Sequence, residues 1–197
     1  MKKLILIITV ILFSLVSKAN QDSIVLAKLK SIKTLPEIKK GKINWNSKNP
    51  EDSTIDPDTV IQCGDSTYWE LTKMQKQIIP SLINNITNTS KTNIPIPCSK
   101  DTLTIGGLAF IILNNIISIP YAQVTKSQWC VIQPGCGFNG VAGFITYVQN
   151  QGQKFQGQLK TWYSEREANI ETFKHESPSE CRIRYNAIYG CKIKNSP

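Results

Sequence analysis

The chain has 197 residues, 41% of them hydrophobic and 19% charged, with 23 Lys plus Arg against 14 Asp plus Glu. Those proportions exclude a collagen, a long coiled coil and a wholly disordered tail, and they suit one globular domain with at most an arm. The formal net charge of +9 favours contact with anionic surfaces but names no partner.

Lys2 and Lys3 precede an apolar run from Leu4 to Val16, and Ser17-Lys18-Ala19 follows. A basic start, a short apolar stretch and small residues before the cut form a secretory signal over residues 1–19, with cleavage expected before Asn20. The run is too short to cross a hydrocarbon core of roughly 30 Å, so it does not read as a membrane anchor. No Cys stands at the cut, which argues against a lipid anchor. The expected address is the periplasm or the cell exterior. Loss of Lys2, Lys3 and Lys18 lowers the net charge from +9 to +6.

Residues 20–58 read as an irregular basic arm and polar linker. Lys28, Lys30, Lys33, Lys39, Lys40, Lys42 and Lys48 crowd it, Pro36, Pro50 and Pro57 interrupt it, and Ser31 to Leu35 has the look of a strand. Lys39, Lys40 and Lys42 are the residues expected to touch an anionic envelope surface. The main domain, 59–197, begins near Thr59. From Cys63 onward helical periodicity takes over. Thr67 and Glu70 form a T-x-x-E capping box opening a helix to about Gln75. A second helix follows, with Pro80 in its first turn and Ile79, Leu82, Ile83 and Ile86 along one side; Asn88-Thr89-Ser90 ends it. A third, from about Thr104 to Ser118, carries the broadest apolar face: Ile105, Leu108, Ala109, Ile112, Leu113, Ile116 and Ile117. Two more follow, near Asn139 to Gln151 and near Lys154 to Asn169.

The six cysteines are Cys63, Cys98, Cys130, Cys136, Cys181 and Cys191. An even number in an exported chain predicts disulfides. Neighbour pairing (63–98, 130–136, 181–191) is the simplest map, and a crossed pairing of the last four remains open. The segment between Cys181 and Cys191 reads as a terminal β-hairpin. Zinc fails on spacing, since no C-x-x-C pair exists and His175 is the only histidine. No cofactor is expected.

The string Tyr68-Trp69-Glu70-Leu71 to Ile78-Ile79-Pro80-Ser81-Leu82-Ile83 resembles a HEAT-type helical hairpin. Thr104-Ile105-Gly106-Gly107-Leu108-Ala109 resembles the start of the next one, and Phe155 to Tyr163 a capping helix. Between Cys63 and Phe173 the chain looks like small uncharacterised exported bacterial proteins of this kind. The resemblance implies a mainly α fold of HEAT-like hairpins and a binding surface rather than a reaction, and it carries over no catalytic residue.

Other residue patterns bear on chemistry. Gly64-Asp65-Ser66 resembles the nucleophile block of GDSL hydrolases, but that site needs an Asp three residues before the histidine, and Thr172 stands there; a helix cap is the better account. Cys136 before a helix, with His175 downstream, is the best-formed covalent-catalysis arrangement. Glu70, Glu165, Glu167 and Glu171 are available for a glycosidase-type acid pair, though no pattern in the sequence couples two of them. Trp129, beside Cys130, is the candidate exposed aromatic for a partner. Export and only three arginines disfavour nucleic acid. The expectation is therefore an exported, non-catalytic binding or inhibitor-type protein, immunity-like in one version, whose partner is another protein. Its rivals are a secreted hydrolase of wall peptide or polysaccharide and a structural envelope component.

Overall fold

The computed structural model describes residues 20–40, 43–44, 54–55, 60–96, 99–126 and 142–172. Within them the chain is mainly helical. Residues 20–31 form α1. Four short strands follow, β1 (Glu37–Lys40), β2 (Ile43–Asn44), β3 (Thr54–Ile55) and β4 (Val60–Gln62), paired antiparallel as β1 with β4 and β2 with β3. Then come α2 (Ser66–Lys73), a 3-10 turn (Gln75–Ile78) and α3 (Ile79–Asn85). An antiparallel ladder of β5 (Lys91–Pro95) and β6 (Thr102–Thr104) leads into α4 (Ile105–Ile116). The last helices are α5 (Tyr121–Thr125), α6 (Ala142–Asn150) and α7 (Gly152–Ser164), with a 3-10 turn at Glu167–Asn169.

The hub is α4. Ten of its twelve residues are buried, which is what a helix apolar all round requires. It packs against α2, α3 and α6, while α7 packs on α3, α5 and α6. Its start is fixed by Thr104, whose Oγ1 accepts from Gly107 N at 3.0 Å, the capping that relieves one orphan N–H. One aromatic cluster knits four helices together. Phe110 of α4 lies 5.4 Å from Phe144, 5.7 Å from Phe155 and 5.9 Å from Tyr121, and Tyr121 stacks on Phe144 at 4.3 Å. Burial pushes the Tyr121 phenol up, and its hydroxyl donates to Asn114 Oδ1.

Several sequence expectations change here. Residues 20–31 are not an irregular arm, and Ser31 to Leu35 is not a strand. Val25, Leu29 and Ile32 fall at i, i+4 and i+7 and are buried in the same core as the later helices, as is Leu35. The lysines that suggested an arm occupy the other side: Lys30 and Lys33 are exposed. Lys28 pairs with Glu70 of α2, and Asp22 accepts from Ser81 Oγ and Asn84 Nδ2 of α3. The ladder of β1 with β4 likewise joins residues on either side of Thr59.

The Thr67–Glu70 capping box does not form, because the N-cap position falls two residues earlier, on Asp65, with no side-chain cap bond. Pro80 does lie in the first turn of α3. The helix contacts do not by themselves show HEAT-like repeats: α4 packs against α2, α3 and α6, and α3 also meets α7. The β5–β6 ladder and α5 have no counterpart in the sequence expectations. The C-terminal hairpin lies outside the described residues.

Candidate functional site: a carboxamide-lined groove

Three helix ends converge on one side of α4. The first is the C-terminus of α3, where the turn Ile86–Thr87 leads to Asn88. It is sewn to the start of α4 by Gly106 N donating to Asn88 O at 2.9 Å and Ile105 N donating to Ser90 O at 2.8 Å. The approach is so close that a Cβ on Gly106 would sit 2.1 Å from the Ile86 carbonyl oxygen, so only glycine fits there.

The second and third ends are the finish of α6 and the start of α7. The chain breaks helical geometry at Gln151 (φ −120°, ψ 28°) and restarts at Gly152. Gln149 Oε1 accepts from Thr104 N at 2.9 Å, pinning the end of α6 beneath the start of α4. Gln156 Nε2 donates to both Ile83 O and Asn84 O at 2.9 Å, holding α7 to the end of α3. Those carbonyls belong to a helix C-terminus, where acceptors outnumber backbone donors.

Between the three ends lies an open groove of about 390 Å³, within the size range of small-molecule sites. Ile86, Gly152, Thr104 and Gln149 form part of its lining, with Thr104 and Gln149 already committed to each other. Thr87, Thr89, Asn150, Gln151, Gln153 and Lys154 complete the lining with Asn88, and among the described residues those six make no side-chain hydrogen bond. Asn88 Oδ1 accepts from Ser90 N at 3.1 Å, which leaves its Nδ2 protons available. Among the described lining residues Lys154 is the only charged one and Ile86 the only large apolar one. Such a surface pairs with polar groups; carboxamides and threonine hydroxyls do not exchange protons at neutral pH.

The residues singled out from sequence are placed as follows. Cys63 is half-buried against the core, and its carbonyl accepts from Trp69 Nε1 at 2.6 Å. Cys98, Cys130, Cys136, Cys181, Cys191, Trp129, His175 and Lys42 lie outside the described residues; the backbones of Lys39 and Lys40 lie in β1. Trp69 is buried, and Trp162 is half-buried with Arg166 5.8 Å above its ring. The acids are spread out and exposed: Glu70 binds Lys28, Glu165 binds Arg166 at 2.7 Å, and Glu167 accepts from Tyr163 Oη at 3.3 Å. Among the described residues no group of three or more His, Cys, Asp or Glu is assembled that could hold a metal ion.

Asp65 behaves neither as a nucleophile-block residue nor as a side-chain cap. Its carboxylate accepts from Lys33 N, from Thr34 N at 3.0 Å and from Thr34 Oγ1 at 2.9 Å. Burial opposes its ionisation, but those three donors and the Lys33 charge outweigh burial and hold the carboxyl below its ordinary range. It is the clasp that closes the end of α1 onto the start of α2.

Sequence reasoning passed over the groove. Its one signal was the density of polar residues at helix boundaries: Asn88-Thr89, read as ending the second helix, and Asn150-Gln151-Gly152-Gln153 between the last two. No family model, curated protein or solved structure matches this chain.

Proposed function

We propose that this chain is an exported, non-catalytic binding protein of the cell envelope, acting by recognition through the surface where α3, α4, α6 and α7 meet. One observation carries the reading: the groove is lined by carboxamides and hydroxyls held by a tightly sewn framework. These groups have hydrogen-bonding capacity left over and little capacity for acid–base work. The backbone that carries these groups is fixed by the bonds between the helix ends, which removes part of the ordering cost of binding. The secretory pattern of residues 1–19 supports export, as does the even set of six cysteines, since disulfides persist in oxidising compartments. An inhibitor or immunity-like pairing is one form such recognition takes.

The test is site-specific photo-crosslinking of the full chain in intact cells, with the probe at Thr89 or Gln153 in the groove and at Lys160 on the exposed side of α7. A saturable adduct from the groove positions and none from Lys160 is the expected result. Adducts from Lys160 alone, or none from any position, overturn the proposal.

A further inference from the structure

We infer that the groove binds an acetamido sugar, the N-acetylated hexosamine unit of an envelope glycan; this rests on the recognition reading above and names its ligand. The argument is one of complementarity. The acetamido group is a trans amide whose N–H and C=O point opposite ways, so it takes two carboxamides, one accepting from its N–H and the other donating to its oxygen. Asn150 and Gln153 have both ends of their amides available, and Asn88 has its Nδ2 protons. Ring hydroxyls are both donors and acceptors, and Thr87, Thr89 and the Lys154 ammonium supply matching partners.

The same lining argues against the alternatives. A polyanion would meet a single cation, a cationic ligand would meet no carboxylate among the lining residues, and an apolar ligand would find only Ile86. The volume, about 390 Å³, lies toward the lower end of the small-molecule range of roughly 300–1,000 Å³.

The experiment titrates the full-length exported protein with tri-N-acetylchitotriose and, separately, with maltotriose, which has the hydroxyls but no acetamido group. Binding is followed by calorimetry and by the side-chain amide signals of an ¹⁵N-labelled sample. The double variant Asn150→Ala/Gln153→Ala alters two exposed residues, and circular dichroism and thermal unfolding report whether its fold is kept. The expected result is saturable binding of chitotriose, none of maltotriose, and at least about tenfold weaker binding by the folded double variant, equivalent to roughly 1.4 kcal/mol. Equal binding of both sugars overturns the acetamido assignment, and a folded double variant that binds like wild type overturns the location. If neither sugar binds while the groove photo-probes still capture a partner, the ligand class falls and the recognition reading stands. If neither sugar binds and no probe captures anything, both fall.

Discussion

The closeness of α3 to α4 makes one substitution act in opposite directions at two sites. At Gly106 an added Cβ would lie 2.1 Å from Ile86 O and 2.8 Å from Ile86 C, both backbone atoms that cannot rotate aside. Restoring the 3.0 Å that real Cβ atoms respect parts the two helix ends by 0.9 Å. That movement pulls on the bonds from Gly106 N to Asn88 O and from Ile105 N to Ser90 O, each with a net worth of about 1 kcal/mol. Overpacking strain adds about 1–3 kcal/mol, and alanine's helix propensity returns about 1. Gly106→Ala is therefore expected to destabilise by roughly 2–4 kcal/mol, a large part of the 5–15 typical of a domain.

At Gly157, inside α7, nothing lies within 4 Å of the new methyl, and Gly157→Ala is expected to stabilise by about 0.5–1 kcal/mol. Urea unfolding followed by circular dichroism and by fluorescence of the buried Trp69 measures both. A neutral Gly106→Ala, or changes of the same sign at the two sites, refutes the claim that these helix ends are in contact through backbone.

Asp65→Asn removes the charge from the α1–α2 clasp and is expected to cost about 1–2 kcal/mol at pH 7, the lower end of charged hydrogen bonds because Lys33 is solvent-exposed. The folded carboxyl is held below the unfolded value of about 3.9, so its contribution is present above that pH and lost as pH falls through the folded value; the gap between wild type and variant should close on acidification, and a gap independent of pH refutes the clasp. Leu29→Ala is expected to destabilise by about 2–5 kcal/mol because Leu29 is fully buried; a neutral result in denaturant unfolding would mean α1 does not belong to the core. Phe110→Ala, at the centre of the four-helix aromatic cluster, should cost about 3–5 kcal/mol, read as a fall of the unfolding midpoint. N-terminal sequencing of the exported protein should begin at Asn20, and a retained Met1 refutes the secretory reading.

What the sequence determined by itself is the set of helices whose information is local. The apolar positions of α3, α4, α6 and α7 recur at 3.6-residue spacing, Pro80 announces the first turn of α3, and the broad apolar face from Ile105 to Ile117 already required burial. These signals act over three or four residues, within reach of one helical turn. The same signal existed in α1, through Val25, Leu29 and Ile32, but the lysines between them dominated the composition and suggested an arm. Tertiary structure alone decided the rest. The β5–β6 ladder is stabilised by pairing across a loop, the Asp65 carboxylate turned to donors about thirty residues upstream, and the groove is built from chain segments some sixty residues apart. No local pattern encodes those meetings. They follow from how the helices pack around α4, and that packing brings polar residues from helix boundaries far apart in the sequence together into one groove.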